Sequence, residues 1–106
     1  MDANDMMISK TAAKTTHDAL LRELADTYRK KNSDYGGSFH RSFSEFGISS
    51  GMIRISDKYY RALNLSKKPE ARKVMDESLR DTLMDMANYC ILTVLEMENK
   101  QKGLCS

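Results

Sequence analysis

Apolar residues recur along this chain at intervals of three and four, and over no stretch do they alternate with polar ones as in a half-buried strand. The pattern predicts helices. A first helix runs from about Thr16 to Asn32, with Thr15 or Thr16 as its N-cap and a stripe of His17, Leu20, Leu21, Leu24 and Tyr28. KKNSDYGGSFH then predicts a break, because Asn32, Ser33, Asp34 and the Gly36-Gly37 pair are turn residues. A short helix follows over roughly 38–46, with Phe39, Phe43 and Phe46 on one side and Gly47 as its stop. The second long helix spans about Ser49 to Leu65. Its predicted apolar side is Met52, Ile55, Tyr59 and Leu63, and its polar side Arg54, Asp57, Lys58 and Arg61. Ser66 to Pro69 connect it to a last helix that ends near Lys100, with Pro69 suited to a first helical position. The expectation is an all-α fold, a small helical bundle whose last two long helices form a hairpin. Residues 1–14 lack any period and are expected to be a mobile segment ahead of a single domain over 15–106.

Within the last helix, Glu77, Asp81, Asp85 and Asn88 fall inside an arc of roughly 80° at ~100° per residue. Their stripe turns apolar through Leu92 and Leu95, while Leu79, Leu83, Met86, Cys90 and Val94 cover the opposite side. Carboxylates on a stripe that leads into a hydrophobic seam should face another helix, and shielded carboxylates need cations. Mg²⁺ or Mn²⁺, held by Glu77, Asp81, Asp85 and Asp57, meets that need. In an antiparallel hairpin Asp57 is expected to oppose the Glu77/Asp81 turn, with Arg54, Lys58 and Arg61 beside it to meet phosphate. The plainer alternatives are a solvated acidic face and an Arg54–Asp57 pair one turn apart.

Composition narrows the picture. The chain has 106 residues, 30% of them charged, and a net charge of +2, too weak to argue for nucleic acid or a membrane surface. No run approaches the roughly 20 apolar residues of a spanning helix, and MDANDMMISK lacks the apolar core of a signal peptide. Two cysteines without a paired framework fit a reducing compartment, so a cytoplasmic protein is expected. Eight methionines and apolar residues on nearly every side of the last helix between Leu83 and Met97 predict a homo-oligomer, a dimer or larger. His17 and His40 have no metal-ligand spacing with the cysteines. Phe39, Phe43 and Phe46 are core candidates. Lys31, Asn32, Asp34 and Tyr35 offer either a ligand-binding loop, with Tyr35 stacking on a base, or an ordinary turn.

Three runs, KNSDYGGSFHRSFSEFG, MIRISDKYYRALNL and DESLRDTLMDMANYCI, together resemble the family called nucleotide modification associated domain 1 over roughly Lys30 to Glu96. That family is taken to be related to the MazG-type all-α nucleotide pyrophosphohydrolases. The resemblance implies a MazG-like bundle and Mg²⁺-dependent cleavage of a (deoxy)nucleoside triphosphate, or a modified nucleotide, to monophosphate and pyrophosphate. Glu77, Asp81 and Asn88 match the spacing of the second acidic element of MazG-type enzymes. In the first element Asp57 is the sole acid, with Arg54 three residues before it. The residues so implied are Asp57, Glu77 and Asp81 for catalysis, and Asp57, Glu77, Asp81 and Asp85 for metal. Lys31, Asn32, Asp34, Tyr35, Arg54, Lys58, Arg61 and Asn88 would bind the nucleotide. The alternative is a non-catalytic protein that sequesters a nucleotide or nucleotide-derived signal, in a phage setting a sponge against host defence.

Overall fold

The computed structural model describes residues 14–68 and 77–99, and all side chains within them except those of 32–36. These residues form three α-helices and no strand: α1 (His17–Phe46), α2 (Ile48–Ser66) and α3 (Glu77–Asn99). The start of the last helix near Pro69 lies outside the described residues. No helix among those described is long and apolar enough to cross a membrane.

Thr16 caps α1: its Oγ1 accepts from the Ala19 N–H at 3.1 Å, satisfying one of the donors a helix start leaves unpaired. The break predicted at KKNSDYGG is absent as a loop. Helical hydrogen bonding carries through it, and the interruption shrinks to a kink at Lys31, where φ −107° and ψ 15° leave the helical region. One off-helix residue is enough to re-aim a helix, so turn-prone residues can still continue it. Gly47 ends α1 and begins α2 with φ 75° and ψ −158°, a conformation essentially reserved for glycine. Its N–H donates to Phe43 O at 2.8 Å, and its carbonyl accepts from the Ser50 N–H at 3.0 Å.

α2 and α3 form an antiparallel hairpin with the largest interface in the molecule. Its register is fixed by three pairs: Gly51 with Thr93, Arg54 with Tyr89 and Lys58 with Asp85. The α2 seam is therefore Gly51, Ile55, Lys58, Ala62 and Leu65, spaced by alternating fours and threes. Buried Thr82 and Thr93 line the facing seam of α3. Each threonine hydroxyl donates to the carbonyl four residues back, Ser78 O and Tyr89 O, both at 2.7 Å. That bond removes the cost of burying it. A Cβ on Gly51 would overlap the Thr93 side chain, so glycine there allows the close approach.

This seam corrects the predicted face of α2. Met52, Tyr59 and Leu63 are 53%, 49% and 37% exposed, because the small residues Gly51 and Ala62 take the packing positions instead. Phe39 and Phe43 join Leu92 in the core, with Tyr28 and Tyr89 packed against them. The Phe39 ring lies 6.3 Å from that of Phe43 and 5.8 Å from that of Tyr89. Phe46 does not join them; it is 65% exposed at the end of α1.

Candidate functional site

The acid stripe of α3 borders two helices: Asp85 pairs with Lys58 of α2, and Asp81, Asp85 and Asn88 line a cleft against α1. Glu23, Thr27 and Lys31 follow one another at four-residue spacing on α1, an arc of about 80° like that of the acids. They meet Asp81, Met84, Asp85 and Asn88 across a polar cleft of about 360 Å³, with Leu24 in its floor. On the other flank of α1, Leu21, Ala25 and Tyr28 meet Ile91, Leu92 and Leu95 around an apolar cavity of about 220 Å³. Leu24 and Asn88 line both spaces. The two cavities are thus neighbours on either side of the contact between α1 and α3.

Exposure falls along the stripe. Glu77 and Asp81 are exposed, Asp85 is half-buried and Asn88 is buried. The Asn88 side-chain Nδ2 has no acceptor among the described residues. An unpaired buried amide costs about 1–3 kcal/mol, which sets Asn88 apart from the buried Thr82 and Thr93, whose hydroxyls are paired. Asp85 Oδ2 lies 3.2 Å from Lys58 Nζ across the hairpin.

At the rim, Arg80 grips Glu23 with two bonds, Nη1 to Oε2 at 2.9 Å and Nη2 to Oε1 at 2.8 Å. This fork strapping α1 to α3 has the geometry of a strong charge-assisted pair. The hydrogen bonds from Arg80, helped by its charge, hold the Glu23 carboxyl below the usual range against an opposing desolvation. Arg80 is raised in turn, first by its bonds to Glu23 and less by the nearby Asp81 and Glu77.

The remaining predicted residues separate. The hairpin register sets Asp57 level with Met86 rather than with the Glu77/Asp81 turn, so the expected opposition does not form. Asp57 is exposed and does not line the cleft. Glu77, the first residue of α3, also lies outside its lining. Arg54 does not pair with Asp57 either: its guanidinium carbon stands 5.8 Å from the Tyr89 ring centroid and Nη1 reaches Tyr89 Oη at 3.5 Å. Arg61 is exposed. The side chains of Asn32, Asp34 and Tyr35 lie outside the described residues. His40 Nδ1 pairs with Glu96 Oε1 at 2.9 Å, away from the cleft. Among the described residues no three His, Cys, Asp or Glu side chains are grouped to hold a metal. Glu23, Thr27 and Arg80 were missed by sequence reasoning, although the four-residue polar spacing of the α1 pair was visible beside the leucines.

The model of the family nucleotide modification associated domain 1 matches residues 31–97, more than half of the chain. The chain belongs to that family. Within this family member, the match begins at the kink residue Lys31 and takes in α2, the acids of α3 and Asn88. Glu23 and Thr27 lie before it, so the α1 wall of the cleft is built from both matched and unmatched residues. No curated protein and no solved structure matches the chain.

Proposed function

We propose that the cleft between α1 and α3 binds a nucleoside polyphosphate and that the protein hydrolyses it, with Mg²⁺ or Mn²⁺, to a monophosphate and pyrophosphate. One observation carries this. α1 sets the cation Lys31 across from the carboxylates Asp81 and Asp85, beside a buried amide that lacks a partner among the described residues. The family's name, which associates it with nucleotide modification, agrees with a nucleotide ligand, and the likeness to MazG-type enzymes supplies the reaction.

The donor set suits Mg²⁺ of a particular kind. Mg²⁺ is usually held by one or two carboxylates together with waters and substrate phosphates, rather than by a cage of protein groups. Asp81 and Asp85, one turn apart on one wall, are such a pair. Glu23 is engaged by Arg80 and serves the wall rather than the ion. When bound, the metal would neutralise phosphate charge and lower the pKa of an attacking water. Lys31, in the cleft wall, brings positive charge to the leaving pyrophosphate, and Lys58 adds to it from the cleft's edge, where it pairs with Asp85. Lys58 is free to do so once it leaves Asp85. Asn88 fixes the nucleoside part of the ligand.

Sequestration without cleavage is the second reading, and the positions of Asp57 and Glu77 favour it. Two of the three acids assigned to catalysis lie off the cleft, which weakens the case for turnover more than that for binding. Incubating the protein with Mg²⁺ and a panel of ribo- and deoxynucleoside triphosphates separates the two. Monophosphate and pyrophosphate released in proportion to protein support hydrolysis. Intact nucleotide recovered after heat denaturation supports sequestration. A protein that neither binds nor cleaves any of them contradicts both.

A further inference from the structure

Asn88 is 4% exposed, and its Nδ2 has no acceptor among the described residues. It also lies where the polar and apolar cavities adjoin. Most buried side-chain amides are paired, so this one is an exception that asks for an explanation. Its two neighbouring spaces differ sharply in chemistry. One is bordered by Lys31, Asp81 and Asp85, the other by Leu21, Ile91 and the ring of Tyr28. At about 220 Å³ the apolar cavity is smaller than the roughly 300–1,000 Å³ of a complete ligand site, so it suits one part of a ligand.

Resting on the nucleotide reading above, we infer that the nucleoside polyphosphate straddles Asn88: its base occupies the apolar cavity beside Tyr28, its phosphates the polar cleft, and a hydrogen-bond acceptor on the base meets the Asn88 Nδ2. Every nucleobase offers a flat face for an aromatic ring and an acceptor next to its glycosidic bond, O2 of a pyrimidine or N3 of a purine. The ligand thereby supplies the partner missing among the described residues. Phosphate alone reaches only the polar half, so recognition of the base belongs to Asn88 and the apolar cavity, and capture of the phosphates to Lys31 and the acids.

The test compares affinities for Mg²⁺-tripolyphosphate and the four Mg²⁺-deoxynucleoside triphosphates in the wild type, Asn88→Leu and Asn88→Asp. The wild type should bind at least one nucleotide more tightly than tripolyphosphate. In both variants that advantage should shrink by about tenfold or more, the scale of one buried hydrogen bond, and the uncharged Asn88→Leu should leave tripolyphosphate affinity unchanged. Asn88→Leu should also melt no lower than the wild type without ligand, because it removes an unpaired buried amide. Asn88→Asp keeps the shape but replaces the donor, so it tests the bond if the leucine variant folds poorly. The inference is overturned if the variants keep the nucleotide's advantage, if Asn88→Leu loses tripolyphosphate to the same extent, or if the wild type prefers no nucleotide over tripolyphosphate. In each of those cases phosphate binding in the cleft still stands. Absence of binding to every probe would overturn the functional reading along with the inference.

Discussion

Lys58 Nζ lies 3.2 Å from Asp85 Oδ2, joining the middle of α2 to the acid stripe of α3. The pair spans the hairpin at the edge of the cleft, so a residue read as a phosphate contact serves in the ligand-free protein as the counter-charge of a metal-binding candidate. Both side chains keep about a third of their exposure, 31% and 38%, and such pairs contribute less than about 1 kcal/mol. Lys58→Met should therefore barely change stability. It should strengthen Mg²⁺ binding to the nucleotide-free protein a few-fold by removing a competing cation, and weaken nucleotide binding. Calorimetric titrations of Mg²⁺ and of a nucleotide check this; equal weakening of both would contradict it.

Gly51 of α2 packs directly against Thr93 of α3. Alanine there gains about 1 kcal/mol of helix propensity, but its Cβ would overlap the Thr93 hydroxyl and methyl. Overpacking typically costs about 1–3 kcal/mol, so Gly51→Ala should destabilise by up to about 2 kcal/mol net. Thr93→Ala in the same chain should recover most of that loss. A double-mutant cycle in urea measures the coupling, and purely additive effects would show that the contact is not what limits the hairpin.

The Glu23–Arg80 strap sets an acid limit. Glu23 is held below its usual range mainly by hydrogen bonds from Arg80. A depressed folded pKa stabilises the protein above the unfolded value, about 4.3 for Glu, and that contribution is lost as pH falls through the folded value. Stability should thus be intact at neutral pH and decline below about pH 4. Glu23→Gln should reduce that decline. Thermal melts between about pH 2 and 7 give the comparison; identical slopes in the two proteins would show that the strap does not couple to folding.

One side of the hairpin has no cover among the described residues. From the register, Met52, Tyr59 and Leu63 of α2 lie on the side away from α1, together with Leu83, Cys90, Val94 and Met97 of α3, and all seven are exposed. Apolar patches of this kind mark association surfaces. The protein should form a dimer or larger assembly at micromolar concentration, and Val94→Glu should shift it towards monomer. Light scattering that returns a mass near 12.1 kDa at every concentration would contradict this.

Much of the fold was legible in the sequence because helical periodicity is a local signal. The Thr16 cap, the stop at Gly47 and the burial of Phe39 and Phe43 all follow from neighbours in the chain. The packing face of α2 was misread for a physical reason. Gly51 and Ala62 carry little hydrophobic surface, so Met52, Tyr59 and Leu63 dominate the pattern although the small residues make the close contact. The acid stripe of α3 was visible, but not the cleft it forms with α1. Contacts such as Arg80–Glu23 join residues 57 apart in the chain, which no local pattern encodes. Asp57 was placed by assuming a register that the Gly51–Thr93 approach rules out.

The central claim is that Asp81 and Asp85 serve a nucleotide's phosphates through Mg²⁺ in the α1–α3 cleft. A ligand that binds only the folded state raises its melting temperature, by ~2.7 kcal/mol of stabilisation at a hundredfold excess over Kd. The most direct measurement is the melting temperature of the wild type and of Asp81→Asn/Asp85→Asn, each with and without Mg²⁺ and each of the nucleoside triphosphates. The account predicts a rise for the wild type with at least one nucleotide, dependent on Mg²⁺, and its loss in the double variant at unchanged helical circular dichroism. An equal rise in both proteins, or none in the wild type with any nucleotide, would contradict it.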